Sequence, residues 1–185
     1  RVAVLISGRG SNLQALMEAK QDAYEIALVI SNVPSAAGLE RARAAGVEAV
    51  ALDHKPYGKN REAFERDLDA LLVERNIEIV ALAGFMRVLT PYFVNAWKGR
   101  LINIHPSLLP KYPGINTHAR ALEAGDAEHG CTVHLVVEEV DSGEILGQAK
   151  MPIGANDTPE TLAERVLTLE HELFPACLAK LARSL

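Results

Sequence analysis

Short apolar runs alternate with amphipathic stretches along most of this chain, and that alternation constrains its fold more than any other feature. The first run, residues 2–7, leads into the turn Gly8-Arg-Gly-Ser-Asn12, after which Leu13, Leu16 and Met17 recur with helical spacing. The same cycle then repeats several times. Alternation of this kind predicts a parallel sheet that is covered by helices on both faces.

The later cycles predict the remaining elements of the fold. Strands are predicted over residues 2–7, 26–31, 48–52, 79–83, 101–103, 131–137 and 145–152. Helices are predicted after residue 12, over 38–45, 60–75, 91–97 and 117–124, and from a cap at Thr158 to about Leu181, where Pro175 can introduce a kink. Residues 138–143 suit an antiparallel hairpin or a short excursion at the sheet's edge. We therefore predict an α/β fold: a Rossmann-like open, mostly parallel sheet with helices on both faces and an antiparallel C-terminal strand region, in one domain over residues 1–185.

The composition limits the partners of such a domain. The 185 residues carry a formal net charge of −5, so there is no overall basic field to hold a nucleic-acid backbone. The apolar runs are far shorter than the roughly 20 residues that span a bilayer. The amino end is typical of a core strand and not of a signal peptide. We therefore expect a cytoplasmic protein without membrane or nucleic-acid partners.

The cysteines and most of the histidines predict no special chemistry. Cys131 and Cys177 lie far apart, so buried, reduced thiols are expected. The spacing His129-x-Cys131-x-x-His134 resembles a zinc motif, but Cys131 and His134 would face opposite sides of a strand. We therefore expect no metal. Surface or structural roles are expected for His54, His118, His129, His134 and His171.

The turn after the first strand is a candidate phosphate site. It opens a helix, so its free backbone amides and the positive helix end would suit an anion. It lacks the third glycine of a dinucleotide fingerprint, where Leu13 stands, and the lysine of a P-loop. In the alternative interpretation the turn is structural and Ser11 or Asn12 caps the helix. The motif alone leaves both interpretations open.

Ligands of open α/β sheets bind beyond the carboxyl ends of the strands, which points to the turns after Ser7, Ala83 and Asn103. Asn103 and His105 lie two residues apart at a strand end that Pro106 terminates, so their side chains point the same way. An amide donor and an imidazole that converge can stabilise a developing oxyanion and shuttle a proton. The structural alternative is a hydrogen-bonded pair at a strand end.

Asp141 lies between two apolar strands, where an ordinary turn aspartate is the default expectation. A carboxylate near His105 would hold the imidazole in the right tautomer and raise its pKa. The sequence does not determine whether the two side chains meet.

Four stretches resemble the glycinamide ribonucleotide formyltransferases, a family within the folate-dependent formyltransferases. They are Leu5-Ile-Ser-Gly-Arg-Gly-Ser-Asn-Leu-Gln14, Leu82-Ala-Gly-Phe-Met-Arg-Val-Leu89, Asn103-Ile-His-Pro-Ser-Leu-Leu-Pro-Lys-Tyr-Pro-Gly114 and His129-Gly-Cys-Thr-Val-His134. The third stretch is shared by the wider superfamily. The first stretch, the chain length and the helix that bears Glu170 and His171 narrow the resemblance to the purine enzymes.

The resemblance implies formyl transfer from 10-formyltetrahydrofolate to the amine of glycinamide ribonucleotide in purine (IMP) biosynthesis. It implies that Asn103 and a protonated His105 hold the tetrahedral oxyanion and that Asp141 stabilises the charge. It implies ribonucleotide contacts from Gly10, Ser11, Asn12, Leu167, Thr168, Leu169 and Glu170, of which the two leucines would contribute backbone contacts. It implies folate contacts from Arg61, Met86, Arg87, Val88, Leu89, Asn103, Val137, Glu138, Glu139, Val140 and Asp141. We expect a monomer or homodimer whose partners are these two small molecules.

Two alternatives remain at this point. The nearer one keeps the catalytic group and changes the acceptor, as in a formyltetrahydrofolate hydrolase or a formyltransferase for a charged tRNA or an amino sugar. Such relatives normally carry extra domains, and we expect none within these 185 residues. The other is a non-catalytic nucleotide-binding module, in which Asn103 and His105 only end a strand and replacement of His105 leaves ligand affinity unchanged.

Overall fold

A computed structural model describes residues 1–19 and 22–185, and within them seven strands form a single sheet. The strands are β1 Val2–Ile6, β2 Ile26–Ser31, β3 Glu48–Ala51, β4 Ile79–Leu82, β5 Leu101–His105, β6 Glu128–Leu135 and β7 Ile145–Pro152. The helices are α1 Ser11–Glu18, α2 Ala37–Ala44, α3 Arg61–Glu74, α4 Pro91–Ala96, α5 Thr117–Glu123 and α6 Pro159–Ser184, with a 3₁₀ turn at Lys55–Tyr57. In this part of the chain, no helix combines the length and the apolar composition needed to cross a membrane.

The sheet has the order β3-β2-β1-β4-β5-β6-β7. Strands β1 to β5 pair in parallel, whereas β6 and β7 are antiparallel. The predicted mostly parallel sheet with an antiparallel C-terminal region is therefore confirmed, as is the hairpin between the last two strands. Because β1 lies between β2 and β4, the strand order reverses there, and ligands of such sheets bind at this switch point.

Both faces of the sheet are buried. In β1, Val2, Val4 and Ile6 pack into a core with residues of α1, α2 and α6. Ala3 and Leu5, which alternate with them, pack into a second core with residues of α3 and α4. Complete burial of each aliphatic side chain contributes about 1.5–3 kcal/mol. A one-residue slip would exchange the two sets, so this pattern fixes the strand register and the position of the turn that follows.

Several element ends differ from their predicted positions, most of them by one residue, and the larger differences are in β5, β6 and α6. Strand β5 continues to His105, which pairs with Thr132, and β6 already begins at Glu128, which pairs with Pro152. These ends depend on partner strands that the local apolar pattern does not reveal. Helix α6 passes through Pro175 and continues to Ser184 as one helix.

The turn into α1 is not capped as the structural interpretation expected. Gly10 is the N-cap, with φ of 75° and no side-chain cap, and Ser11 and Asn12 are the first residues of the helix. A left-handed backbone of this kind strains residues other than glycine. At the start of α2, a Cβ on Gly38 would lie 2.3 Å from Ile6 Cδ1, and the Gly38 N–H donates to Gly8 O at 3.1 Å. The turn is therefore held close against α2, while the first amides of α1 lack a side-chain cap.

Candidate active site

Asn103, His105 and Asp141 come together with a fourth side chain, His134. Asp141 Oδ1 lies 3.6 Å from His105 Nδ1 and 3.7 Å from His134 Nε2. Asn103 Nδ2 lies 3.3 Å from the same His134 Nε2. The pairing of β5 with β6 places Asn103 opposite His134. The three residues predicted from the sequence are therefore neighbours in one cluster, which lies at the carboxyl end of β5.

The imidazole of His105 is buried and lies between two acceptors. Its Nε2 is 2.8 Å from the carbonyl oxygen of Tyr112, and its Nδ1 faces the Asp141 carboxylate. Carbonyl and ionised carboxylate oxygens only accept hydrogen bonds, so each ring nitrogen suits a bound proton. Only the contact of Nε2 with Tyr112 is a hydrogen bond, and a proton on Nδ1 would face the carboxylate at 3.6 Å.

Asp141 is held in a strained backbone conformation by contacts on both of its carboxylate oxygens. Its φ is 54°, in the left-handed region that disfavours residues other than glycine. Oδ2 accepts a hydrogen bond from the Gly114 N–H at 2.9 Å, while Oδ1 faces the two histidines. The side chain is only 9% exposed. The carboxylate therefore joins the loop after β5 to the loop between β6 and β7.

His134 orients the amide of Asn103. Its Nδ1 lies 2.9 Å from the Leu135 carbonyl oxygen, so Nδ1 carries the ring proton and Nε2 accepts from Asn103 Nδ2. Burial lowers the pKa of His134, which favours this neutral form. One amide hydrogen of Asn103 is thereby engaged, and the other remains available.

Of the two roles expected for His134, burial excludes the surface one, and its contacts with Asn103 and Asp141 were not predicted. The missing information was the pairing of its strand with β5, because that register alone brings it opposite Asn103.

Two cavities meet at Asn103. The first, which we call the apolar cavity, has a volume of about 200 Å³ and is lined by Leu82, Phe85, Arg87, Val88, Leu89, Val94, Asn103, His134, Val136, Glu138, Val140 and Asp141. The second, which we call the α6 groove, has a volume of about 500 Å³ and is lined by Arg9, Asn12, Gly84, Phe85, Met86, Asn103, Ile104, Pro106, His118, Ala163, Glu164, Leu167 and Glu170. A molecule in each would therefore reach the same amide.

Most of the predicted folate contacts lie around the apolar cavity. Met86 instead lines the α6 groove, and the exposed Val137 and Glu139 line neither space. Arg61 is outside the cavity, where its guanidinium donates to the Val88 carbonyl oxygen at 3.3 Å. It therefore supports the loop that forms the cavity wall.

Only some of the ribonucleotide contacts predicted on α6 lie in a cavity. Leu167 and Glu170 line the α6 groove, since residues three apart share a helix face. Thr168 and Leu169 line neither cavity. At the other end of the site, Asn12 lines the groove, and Ser11 lines a separate depression beside α6.

Glu170 and Asn12 connect the last helix to the first. Asn12 Nδ2 donates to Glu170 Oε1 at 3.1 Å, and Glu170 is only 7% exposed. Burial raises the pKa of Glu170 to about 7, although the hydrogen bond from Asn12 acts in the opposite direction. The side-chain oxygen of Asn12, Oδ1, is buried without a hydrogen-bond partner among the described residues. Asn12 therefore lines the groove with an unsatisfied, buried acceptor.

A second histidine pair lies at the edge of the groove. His118 Nδ1 is 2.9 Å from His129 Nε2, and His118 lines the groove. Burial lowers the pKa of both rings, that of His129 to about 4. The pair is therefore neutral near pH 7, and one ring donates to the other.

The cysteines are free and buried, as expected. Within residues 1–19 and 22–185, no group of three or more His, Cys, Asp or Glu side chains has the arrangement of a metal site. His134 turns toward Asn103 and Asp141, whereas Cys131 packs in the core.

Comparison with known proteins places this site in a family. Residues 1–178 match the family described as formyl transferase. The phosphoribosylglycinamide formyltransferase of Escherichia coli is 48% identical, over 94% of this chain and 83% of that protein. The trifunctional purine biosynthetic protein adenosine-3 of Chironomus tentans is 52% identical over 98% of this chain, which spans only 14% of that protein's length. The human protein of the same name is 50% identical, and the chain spans 18% of it.

Solved structures agree with these matches. A phosphoribosylglycinamide formyltransferase from Coxiella burnetii superposes with a TM-score of 0.93 at 46% identity, over 99% of this chain and 87% of that one. A glycinamide ribonucleotide transformylase from Symbiobacterium toebii gives 0.95 at 42% identity, over 100% of this chain and 88% of that one. The chain therefore belongs to the formyl transferase family and, within it, to the phosphoribosylglycinamide formyltransferases.

Proposed function

We propose that this chain transfers the formyl group of 10-formyltetrahydrofolate to the amine of 5'-phosphoribosylglycinamide. The products are 5'-phosphoribosyl-N-formylglycinamide and tetrahydrofolate. The observation that carries the proposal is the position of Asn103, which lines both cavities and lies beside His105 and Asp141. A donor in one cavity and an acceptor in the other would meet at this cluster.

The folate occupies the apolar cavity in this proposal. Val88 and Val140 line that cavity and are 60% and 57% exposed, so a flat ring system would cover apolar surface that is open to water. Arg87 and Glu138 lie among these apolar residues and supply polar groups for the pterin edge.

The ribonucleotide occupies the α6 groove. Its phosphate lies at the amino end of α1, where Gly10 has no side-chain cap and the helix dipole favours an anion. The ribose hydroxyls lie beside Asn12 and Glu170, the hydrogen-bonded pair that lines the groove. The glycinamide amine then extends along the groove toward Asn103.

The transfer proceeds by attack of the amine nitrogen on the formyl carbon. The new C–N bond forms as the carbonyl oxygen takes up negative charge, which Asn103 and the imidazolium of His105 stabilise. One such hydrogen-bond donor is worth about 10²–10³ in rate. The bond from the formyl carbon to N10 of the folate then breaks as N10 takes a proton from His105, and the proton that the attacking amine loses returns to the His105 imidazole. His105 is the proton donor, and Asp141 stabilises its positive charge at 3.6 Å.

The proposal is tested by an absorbance assay with 10-formyl-5,8-dideazafolate as donor, with and without the ribonucleotide. We expect consumption that requires the ribonucleotide and disappears in His105→Ala. His171→Ala is the matched control, because His171 lies outside both cavities and outside the cluster around His105. Asp141→Asn should reduce turnover severely while ribonucleotide binding, measured by calorimetry, is largely kept.

The other outcomes identify the alternatives. Consumption without an acceptor would indicate a hydrolase, and consumption only with another amine would indicate a different acceptor. No consumption by folded protein, with ribonucleotide affinity unchanged in His105→Ala, would favour a binding module and contradict the proposal.

A further inference from the structure

Ser7 lies between the two loops that the proposed function assigns to the two substrates. It follows β1 directly and precedes the turn at Gly8–Asn12, which enters α1. Its hydroxyl oxygen accepts a hydrogen bond from the backbone N–H of Met86 at 2.8 Å. Met86 belongs to residues 83–90, which connect β4 to α4 and which we call the β4–α4 loop. One hydroxyl therefore joins the phosphate turn to a loop in which Met86 lines the α6 groove and residues 87–89 line the apolar cavity.

The direction of this hydrogen bond is fixed by a chain of partners. A backbone N–H can only donate, so the Ser7 hydroxyl accepts from Met86 and gives its own proton to Asn32 Oδ1. The amide nitrogen of Asn32 in turn lies 3.2 Å from His54 Nδ1. Asn32 is only 2% exposed, so its orientation is protected from water. The Ser7 hydroxyl is therefore a fixed acceptor.

The β4–α4 loop has further supports from α3. Arg61 donates to the Val88 carbonyl oxygen at 3.3 Å, and the buried Glu65 accepts from the Thr90 N–H at 2.8 Å. Ser7 holds the beginning of the loop and α3 holds its end. Only the hydrogen bond from Met86 to Ser7 connects the loop to the strand that carries the phosphate turn, among the side-chain hydrogen bonds of the described residues.

We infer that Ser7 is a positioning residue for the folate: it holds the β4–α4 loop at a set distance from the phosphate turn. This inference rests on the proposed function, because it assumes that the loop binds folate. Ser7 lines neither cavity and contacts none of the residues assigned to the reacting carbon. Its loss should therefore weaken turnover, and folate binding more than ribonucleotide binding. Gly84, Phe85 and Met86 of the loop also line the α6 groove, but the polar contacts proposed for the ribonucleotide come from α1 and α6.

The test replaces the hydroxyl and measures each substrate separately. In Ser7→Ala we expect the KM for the formyl donor and the Kd of a non-reactive 5,8-dideazafolate to rise about 3- to 10-fold, the range expected for one lost hydrogen bond. The ribonucleotide Kd should stay within about twofold of wild type. Ser7→Thr, which keeps the oxygen, should restore the folate affinity.

Ser31→Ala is the matched control. Ser31 ends β2 at the same edge of the sheet and is fully buried, but its hydroxyl bonds only to the backbone of Val33. It should leave both affinities unchanged. If Ser7→Ala does not fold, Ser7→Cys keeps the bulk at this position and replaces the oxygen with a weak acceptor.

Folate affinity in Ser7→Ala or Ser7→Cys that equals wild type would overturn the inference, as would an equal loss of affinity for both substrates. The proposed function is judged separately. If wild-type protein consumes no donor with the ribonucleotide present, that function fails, whereas the Kd of the non-reactive folate still decides the role of Ser7.

Discussion

The amide of Asn103 serves the proposed reaction only while it keeps one orientation, which the neutral ring of His134 provides at 3.3 Å. We predict that His134→Ala lowers kcat by about 10- to 100-fold, somewhat less than the loss of an oxyanion donor itself. Steady-state kinetics would measure the effect. The KM for the ribonucleotide should change little, because His134 lines the apolar cavity and not the α6 groove.

His134→Gln separates orientation from packing. The side-chain oxygen of the glutamine can accept a hydrogen bond from Asn103 Nδ2, so this variant should recover part of the lost kcat. Equal kcat values for the Ala and Gln variants would contradict the assignment, as would an Ala variant that turns over like wild type.

Glu170 gives a second prediction, which depends on pH. Burial raises the pKa of this carboxyl from 4.5 to about 7 in the folded state. Its stabilising contribution is therefore complete below pH 4.5 and is lost as the pH rises through about 7. We predict that Glu170→Gln, which cannot ionise, exceeds the wild type in free energy of unfolding by the order of 2–3 kcal/mol at about pH 8.

Urea unfolding at about pH 8 and about pH 5 measures this difference, which should become small at the lower pH. The control is Glu172→Gln, an exposed position on the same helix, for which a small effect at both values is expected. A difference for Glu170→Gln that is the same at both pH values would show that ionisation is not its cause.

At the scale of elements, α6 carries half of the groove and depends on its first turn. Thr158 accepts from the Thr161 N–H, and the Thr161 hydroxyl accepts from the Thr158 N–H, which together form a capping box. We predict that Thr158→Ala lowers the free energy of unfolding by about 1 kcal/mol. The KM for the ribonucleotide should not change, because Leu167 and Glu170 lie more than two turns further along the helix.

Thr168→Ala makes the same chemical change in the middle of α6. The Thr168 hydroxyl bonds only to the Glu164 carbonyl oxygen at 3.4 Å, so the expected change in stability is within about 0.5 kcal/mol. Denaturant unfolding of both variants compares the two positions. If Thr158→Ala lowered the free energy of unfolding no more than Thr168→Ala, the predicted contribution of the cap would be refuted.

Some elements could be predicted from the sequence alone, whereas others depend on contacts that are distant in sequence. The buried strands β1 and β4 were predicted within one residue at their ends, because residues with both faces covered form continuous apolar runs. The start of β6 was placed three residues too late, since Glu128 and His129 are polar and are held in the strand by β7. The role of His134 was missed for the same reason: it depends on a pairing partner that is distant in sequence.

At the scale of the whole molecule, the strand order brings the predicted site together. The turns after β1, β4 and β5 were expected to carry the chemistry, and these three strands are neighbours in the sheet. Helix α6 completes the groove although it is the last element of the chain, through the contact between Glu170 and Asn12. The resemblance to the formyltransferases implied that Glu170 and Asn12 would contact the same ligand. It did not predict their direct hydrogen bond, which requires the packing of α6 against α1.

Burial of neutral histidines couples the stability of the whole fold to pH. In the folded state, burial lowers the pKa values of four imidazole rings, those of His118, His129, His134 and His171. The pKa of His129 falls to about 4. The unfolded chain binds these protons near the ordinary value of 6.5. Stability from these rings is therefore fully present above pH 6.5 and is lost as the pH falls toward and through about 4. Glu170 acts in the opposite direction between about pH 4.5 and 7, where it offsets much of the contribution of His129, so the net loss of stability comes from the other three rings.

We therefore predict that the free energy of unfolding decreases as the pH is lowered from about 6.5 to about 4, with a slope of about 1.4 kcal/mol per pH unit for each proton taken up on unfolding. Urea titrations at several pH values give that slope. His129→Gln removes the ring with the lowest folded pKa and keeps a neutral side chain beside His118, so it should reduce the slope by up to about one proton. A slope near zero in the wild-type protein would mean that the buried rings take up protons without unfolding, and an unchanged slope in His129→Gln would assign the protons to other groups.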